Sequence, residues 1–306
     1  MYKQTDTFLS HLYHKRVAIF AFYSKKNIID FEVIYYLKEL RKYVDGIVFI
    51  ADCELSKEEF NKISDLIIYS DCHRHKKYDF GSYSKGFQWL KQKDFFNEIN
   101  EIIFCNDSVL GPYRPFSFLF EKREQVNNPP VFGCTINHIA LGKIYTHLQS
   151  YFFTVHKSVF TQKFFIDFFD NIKEESNKAD IITKYEIGLT ELFEKNNIKF
   201  DAIYSKAGYC DPCREFIEHF DQMLFIKKNR LKNYHTVKLN LLLTKISFPY
   251  WIINGKFVEK NLLNKIIILL HLFLEPARII RQLDIYKKRK YNNKISKFFI
   301  SKKTKL

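Results

Sequence analysis

The chain has 306 residues, of which 46% are hydrophobic and 17% aromatic, and its formal net charge is +15. This apolar content excludes an intrinsically disordered chain, and the length is enough for one large domain or two modest ones. The positive charge favours an anionic partner, namely nucleic acid, an anionic membrane surface or a phosphorylated ligand. Charge alone does not choose among these three.

The cysteine pattern and the hydropathy of the chain indicate the compartment in which the protein works and whether it crosses a membrane. Six scattered cysteines and a polar N-terminal stretch without a secretory signal pattern indicate a reducing, cytosolic setting. Cys210 and Cys213 form a lone C-x-x-C pair, and because a structural zinc site usually needs a second pair, we expect no zinc there. The longest apolar run, 266–274, is far shorter than the roughly 18 residues of a membrane span. We therefore expect a protein that does not cross the membrane.

The first half of the chain alternates between two kinds of pattern. Continuous apolar runs, typical of strands buried on both faces, occupy 17–23, 46–52, 66–70 and 101–107. Apolar residues at helical spacing occupy 28–43, 55–65 and 82–96, and Ser56 with Glu59 forms a capping-box pattern at the second helix. Strands that alternate with helices at this spacing predict an α/β fold with a parallel sheet.

The second half predicts a strand at 151–160 and helices at 115–123, 164–175 and 183–197. From about residue 240 the sequence reads as helical and increasingly basic. No internal repeat or Gly/Ser-rich linker divides the chain. We therefore predict one catalytic domain over 1–265, followed by a basic C-terminal extension over 266–306.

Asn106-Asp107-Ser108 follows the fourth predicted strand. Ligands of open α/β sheets collect at the carboxyl ends of the strands, and carboxylate and amide oxygens bind hard divalent cations such as Mg²⁺ or Mn²⁺. Asp107, with Asn106, is therefore a candidate metal and phosphate site. The alternative is an Asx-turn that merely ends the strand, with Gly111-Pro112 completing the loop.

Tyr78-Asp79-Phe80-Gly81 is predicted to lie in a turn that enters a helix. Gly81 and Ser82 would open that helix, whose first N–H groups favour an anion. Asp79 is a candidate ligand of a metal or a hydroxyl group, or else an ordinary helix N-cap.

Three polar residues further along the chain are also candidates. Glu186 lies at a predicted helix start, where it is either a general base or a residue favoured by the helix dipole. His147 and Gln149 precede the strand at 151–160 and offer hydrogen-bonding groups to a polar ligand. The alternative for His147 is a satisfied polar residue of a loop.

The C-terminal tail, 287–306, contains nine lysine or arginine residues and no acid, and isoleucine and phenylalanine residues interrupt the charges. Basic and apolar residues mixed in this way suit an anionic membrane surface, to which each lysine contributes about 1 kcal/mol. A nucleic-acid-binding tail and a merely solvated end are the alternatives.

Five short motifs, taken in order, resemble the rhamnan synthesis protein F family of bacterial polysaccharide glycosyltransferases. They are YDFGSY (78–83), NDSVLGP (106–112), HLQSYF (147–152), YEIGLT (185–190) and the segment FPYWIINGKFVEKNLL (248–263). The resemblance covers about residues 16–265. It implies a GT-A-like α/β fold with a mostly parallel central sheet flanked by helices. The basic extension lies beyond it.

The same resemblance implies a glycosyltransferase that moves a sugar from a nucleotide-sugar, dTDP-rhamnose in the family's namesake role. The acceptor would be a growing surface polysaccharide, a lipopolysaccharide or another lipid-linked saccharide, at the cytoplasmic face of the membrane.

The residues that match the family's motifs receive roles in the same way. Asp107 with Asn106 would hold the diphosphate and a divalent metal, Glu186 would be the base, and His147 and Gln149 would face the sugar or the acceptor. The donor pocket would be lined by Tyr78, Asp79, Gly81, Ser82 and Ser108.

Two further function classes stay open at this point. A transferase-like domain without catalytic activity would act as a scaffold of an envelope-assembly complex. A nucleic-acid-binding protein is disfavoured, because the positive charge is concentrated in the tail while acids follow the predicted strands.

Overall fold

The computed structural model describes residues 15–206, 218–228, 240, 248–253 and 256–260. The Cys210–Cys213 pair and the basic tail at 287–306 lie outside these residues. The chain divides into two compact units, Met1–Arg230 and Leu231–Leu306. The predicted domain boundary at residue 265 also falls outside the described residues and stays a prediction.

The first unit is an α/β structure, which confirms the predicted fold class. Its strands are β1 (Arg16–Phe22), β2 (Gly46–Ala51), β3 (Tyr69–Cys72), β4 (Glu101–Asn106), β5 (Val109–Leu110), β6 (Val131–Ala140), β7 (Lys143–Leu148), β8 (Phe152–His156), β9 (Phe200–Lys206) and β10 (Ile226–Lys227). Its helices are α1 (Phe31–Arg41), α2 (Lys57–Asn61), α3 (Tyr78–Lys91), α4 (Ser117–Gln125), α5 (Lys157–Phe160), α6 (Lys163–Asp170), α7 (Lys178–Ile181) and α8 (Gly188–Lys195).

Within the described residues, eight strands form one central, mostly parallel sheet in the order β3-β2-β1-β4-β8-β6-β7, with β9 paired to β6. The pairs among β3, β2, β1 and β4 are parallel, and β9 is parallel to β6. The pairs that β8 makes with β4 and β6, and the β6–β7 pair, are antiparallel. The parallel half therefore places the carboxyl ends of four strands along one edge.

Apolar side chains cover both faces of this sheet. In β1, Val17, Ile19 and Ala21 belong to the core cluster that contains residues of α3, α6 and α8. The alternate residues Ala18, Phe20 and Phe22 belong to the cluster that contains residues of α1 and α4. This explains why the strand reads as a continuous apolar run, since both of its faces are buried. Gly86 lets α3 pack closely on β1, because a Cβ there would lie 2.4 Å from Cγ2 of Ile19.

Several predicted boundaries differ from the structure. Strand β3 begins at Tyr69 rather than at residue 66, and helix α3 begins at Tyr78 rather than at 82. The predicted strand at 151–160 ends at His156, where α5 begins. Strands β6 and β7 were not predicted, because their faces mix polar and apolar residues without regular alternation. The capping box is confirmed, since Ser56 Oγ accepts from the Glu59 N–H over 3.3 Å.

In the second unit, β11 (Tyr250–Ile253) and β12 (Lys256–Glu259) pair in antiparallel fashion. The prediction that the chain is helical from about residue 240 is therefore wrong here. Asn254-Gly255 between two apolar runs is a strong hairpin signal that the helical reading overlooked. The side chain of Asn240 binds both backbone groups of Ile252, each over 2.7 Å.

No helix in the described part of the chain has both the length and the apolar character that a membrane span needs.

Candidate active site

Asp79 and Asn106 meet at the edge of the sheet where the parallel strands end. Asp79 lies in the first turn of α3, and Asn106 is the last residue of β4. Asn106 Nδ2 donates a hydrogen bond to Asp79 Oδ2 over 2.8 Å. Asn106 Oδ1 accepts from the N–H and the Oγ–H of Ser108, over 3.0 and 2.6 Å. Asn106 thus orients Asp79, and Ser108 orients Asn106. The Asn106 amide oxygen already accepts two hydrogen bonds, and its expected role toward the metal stays a prediction.

The three predicted acids share one electrostatic environment. Burial, together with the nearby charges of Asp107 and Glu186, raises the pKa of Asp79 from its ordinary 3.8 to about 7. Burial also raises the pKa of Asp107 to about 6. Asp107 and Glu186 therefore lie near enough to Asp79 to act on its carboxyl group.

Glu186 is held against the loop between β7 and β8. The Ser150 N–H donates to Glu186 Oε1 over 2.8 Å, and the Ser150 carbonyl accepts from the Tyr83 hydroxyl over 2.8 Å. Glu186 lies in a π-helical segment, Ile182–Ile187, that joins α7 to α8. The expectation that it occupies a helix start is therefore wrong, because the helical stretch begins at Lys178 with Asn177 as its cap. Such π segments occur frequently at functional sites.

Two lysines that the sequence analysis missed balance these acids. Strand β10 pairs with β5, which directly follows Ser108, and the Lys228 N–H donates to the Ser108 carbonyl over 3.0 Å. Lys227 lowers the pKa of Asp79, and Lys228 lowers that of Asp107. The sequence signal for these two lysines is that they directly follow the apolar run 223–226. Nothing in the sequence predicts that this segment pairs with β5.

A cleft of about 500 Å³ opens beside Asp79. It is lined by Phe22, Tyr23, Asp52, Arg74, Lys76, Tyr78, Asp79, Ser82, Glu174, Glu175 and Ser176. The predicted residues Tyr78, Asp79 and Ser82 are thus brought together on one wall. The volume is in the range that small-molecule sites occupy.

Asp52 and Arg74 shape this cleft and were also missed. Asp52 follows β2 in the same way that Asp107 follows β4, so the same reasoning would have found it. Its Oδ1 accepts from the His75 and Lys76 N–H groups over 2.6 and 2.8 Å, and Arg74 Nη1 lies 3.1 Å from its Oδ2. The Arg74 guanidinium also lies over the Tyr23 ring, 4.9 Å from its centroid. The cleft therefore combines an aromatic face with a fixed cation.

Gly81 and Ser82 serve the packing of α3 rather than its opening. The Gly81 N–H already donates to the Lys77 carbonyl over 3.0 Å, so the expectation of a free N–H group there is wrong. A Cβ on Gly81 would lie 2.9 Å from the His75 ring, which explains the glycine. Ser82 is 1% exposed and its Oγ is hydrogen-bonded to His75 Nε2 over 3.0 Å. The N-cap is Lys77, so Asp79 is not a cap.

His147 and Gln149 lie in different surroundings. His147 belongs to β7 rather than to a loop, is 2% exposed, and its Nδ1 is 2.9 Å from the Tyr145 carbonyl. None of the cavities described in this section is lined by His147. Gln149 lines a small cavity together with Lys227, close to the acids. Gln149 thus lines a cavity at the candidate site, while the role of His147 toward the sugar or the acceptor stays a prediction.

Asp79 and Asp107 are the carboxyl groups that this site offers to a divalent cation. Among the described residues, no group of three His, Cys, Asp or Glu side chains is arranged to hold a metal ion. A cation that binds together with a diphosphate needs only one or two protein carboxylates. Asp79 and Asp107 supply two, and the charge of Asp107 disfavours ionisation of Asp79 unless a cation is present. The pair therefore fits a cation that arrives with a phosphate ligand.

We expect Asp79→Asn to stabilise the metal-free protein above pH 7. Asp79 ionises near pH 4 in the unfolded chain but near pH 7 in the folded one, so the free energy of unfolding falls as the pH rises between these values. The neutral amide removes this loss, and the gain should be at least about 1 kcal/mol at pH 8. Urea unfolding at pH 4.5 and pH 8 in a chelating buffer measures it, with exposed Asp65→Asn as the control. An equal effect at both pH values would contradict the raised pKa.

The family model for rhamnan synthesis protein F matches residues 47–239. The uncharacterized protein y4gN of Sinorhizobium fredii is 22% identical over 189 residues, which cover 62% of this chain and 48% of that protein. The chain thus spans about half the length of that relative.

Two solved structures show distant likeness. A glycosyltransferase involved in the glycosylation of the major capsid of PBCV-1 has 13% identity and a TM-score of 0.36, covering 69% of this chain and 92% of that one. The 4-diphosphocytidyl-2C-methyl-D-erythritolsynthase from Anaerococcus prevotii has 14% identity and a TM-score of 0.35, covering 63% and 89%. The family match spans more than half of the chain and includes the segments that carry Asp79, Asp107 and Glu186. The chain belongs to the rhamnan synthesis protein F family.

Proposed function

We propose that this protein is a glycosyltransferase that moves a sugar from a nucleotide-sugar to a saccharide or lipid-linked acceptor. The observation that carries the proposal is the interaction of Asp79, Asp107 and Glu186 at the carboxyl edge of the sheet, beside a cleft of about 500 Å³. Membership of the rhamnan synthesis protein F family supports it.

The nucleotide would occupy the cleft between Tyr23 and Tyr78, with its diphosphate toward Asp79 and Asp107. Lys227 lies close enough to act on Asp79, and Lys228 close enough to act on Asp107. Both lysines would attract the same diphosphate. Asp79 and Asp107 would hold a divalent cation, Mg²⁺ or Mn²⁺, which neutralises charge on the departing diphosphate when it is bound. The wall that bears Arg74 and Lys76 adds positive charge for the remaining phosphate oxygens.

Glu186 would be the general base. Its Oε1 is fixed by the Ser150 N–H, while its Oε2 makes no hydrogen bond within the described part of the chain. Glu186 would take the proton of the acceptor hydroxyl as that oxygen bonds to the anomeric carbon. The bond from the anomeric carbon to the diphosphate oxygen breaks in the same step, and the diphosphate leaves with the electron pair.

The family suggests a specific donor, a specific kind of acceptor and a cellular location for the transfer. The donor would be dTDP-rhamnose or another nucleotide-sugar, and the acceptor a growing surface polysaccharide or lipopolysaccharide. Transfer would take place at the cytoplasmic face of the cell membrane, with the basic tail at 287–306 on the anionic lipid surface and the protein otherwise cytoplasmic.

Release of nucleoside diphosphate from a panel of nucleotide-sugars tests the activity. We expect one donor to be turned over, by transfer to an added saccharide or by slow hydrolysis, and a divalent cation to accelerate it. A protein that binds nucleotide-sugars but turns none over, with or without acceptor and cation, would instead be a scaffold with a transferase-like fold.

Deletion of residues 287–306 tests the membrane arrangement. We expect the shortened protein to lose binding to vesicles that contain phosphatidylglycerol, while transfer to a soluble acceptor continues, because the tail is distant in sequence from the acids of the site. Co-sedimentation measures the binding, and neutral phosphatidylcholine vesicles are the control. Vesicle binding equal to that of the full chain would overturn the proposed docking.

A further inference from the structure

A second, much smaller cavity is lined by Gln149 and Lys227 of the candidate site. Its volume is about 20 Å³, and it is lined by Thr135, Asn137, Gln149, Tyr151, Met223, Phe225 and Lys227. A space of that size admits one water molecule or one hydroxyl group, but not a phosphate. The cavity can therefore receive only a single small polar group.

The cavity contains an acceptor without a partner. Asn137 Oδ1 is buried and accepts no hydrogen bond from the described residues. Buried polar atoms are nearly always paired, so an unpaired one inside a cavity indicates a partner that enters from outside. Gln149 adds a second amide to the lining, and its side chain makes no hydrogen bond within the described residues.

The other polar groups of the lining are already fixed. Thr135 Oγ1 and the Tyr151 hydroxyl are hydrogen-bonded over 2.7 Å. The Lys227 ammonium lies over the Tyr151 ring, 4.7 Å from its centroid. These contacts hold the wall in place and leave Asn137 and Gln149 as the groups available for an incoming partner.

The cavity adjoins the reacting groups. Gln149 and Tyr151 flank Ser150, whose N–H holds Glu186, and Lys227 acts on Asp79. The remaining wall of the cavity is formed by two apolar side chains, Met223 and Phe225. Both are buried, at 6% and 4% exposure. The two amides of the lining suit one hydroxyl group at the rim of a sugar ring.

We propose that this cavity is a hydroxyl-binding subsite for a sugar ring. One hydroxyl group donates to Asn137 Oδ1 and binds the Gln149 amide, while the ring itself lies outside the cavity. The inference rests on the proposed function and adds to it the residues that select the sugar. The ring belongs either to the donor or to the acceptor, and these two sources are separated by experiment.

The test compares Gln149→Leu and Asn137→Leu with the full-length wild type. Gln125→Leu, on the exposed face of α4, is the matched control. Calorimetry with dTDP, UDP and GDP and with the sugars of each measures donor binding, and kinetics with varied acceptor saccharide gives the acceptor KM. Loss of one hydrogen bond predicts an affinity for the sugar about tenfold weaker in each variant.

The pattern of loss identifies the source of the ring. A donor ring predicts weaker binding of the nucleotide-sugar with unchanged binding of the nucleoside diphosphate. An acceptor ring predicts a raised acceptor KM with unchanged donor binding. Asn137→Leu should also raise the melting temperature, because it removes a buried acceptor without a partner, and this shows that the variant is folded.

Two results would overturn the inference, and they differ from each other. If both variants bind donor and acceptor as the wild type does, the cavity holds an ordered water only, and the proposed function stands. If the wild type binds no nucleotide, nucleotide-sugar or saccharide, the proposed function fails and the subsite fails with it.

Discussion

Asp107→Ala is expected to abolish sugar transfer, with a loss in kcat of about 100-fold or more, while the fold stays intact. Asp107 follows β4, its backbone N–H donates to the Ala21 carbonyl over 3.3 Å, and its carboxyl group is held at a raised pKa by burial. Such a side chain costs stability when ionised, so its removal should not unfold the protein. The loss would arise because charge on the departing diphosphate is no longer balanced.

Steady-state release of nucleoside diphosphate measures this effect, and circular dichroism confirms the fold. Asp65→Ala is the control, because Asp65 is exposed and does not line the cleft beside Asp79. Turnover of Asp107→Ala within a fewfold of the wild type would remove Asp107 from the site.

Glu186→Gln is expected to lower kcat by about 10² to 10⁴ while the affinity for the donor changes little. The amide keeps the shape of the side chain, and its oxygen can still accept from the Ser150 N–H, so the local structure is preserved. An amide cannot take a proton from the acceptor hydroxyl, however. The loss should therefore appear in the chemical step rather than in binding.

Single-turnover kinetics with saturating donor separate the two effects. Exposed Glu194→Gln on α8 is the control, since it makes the same change on the same helical stretch. Equal losses in rate and in donor affinity would indicate a structural role for Glu186, through Ser150, and no role as a base.

The sequence predicts the parallel half of the sheet well, for a physical reason. Strands β1, β2 and β4 are buried on both faces, so they read as unbroken apolar runs, and residues that follow such runs share one edge of the sheet. Asp107 was found in this way, whereas Asp79 was found from its place in a turn that enters a helix. The same argument applied to Asp52 would have added the residue that orders the loop before α3.

The other features of the site could not be predicted from local sequence patterns, because they depend on contacts between distant segments. Lys227 and Lys228 reach the acids only because β10 pairs with β5, more than 100 residues earlier in the chain. Glu186 looked like a first-turn residue because the sequence does not reveal that a π segment continues the helix from Lys178. The subsite at Asn137 likewise needs β6 and the segment before β10 to face each other.

Calorimetric titration of the full chain with nucleoside diphosphates and Mn²⁺ tests most directly whether Asp79 and Asp107 serve one phosphate-bearing ligand. We predict one-to-one binding of at least one nucleoside diphosphate, strengthened by Mn²⁺, and loss of that strengthening in Asp79→Ala and in Asp107→Ala alike. The account would be contradicted if Mn²⁺ strengthened binding equally in the wild type and in both variants. It would also be contradicted if no nucleoside diphosphate bound, with or without Mn²⁺.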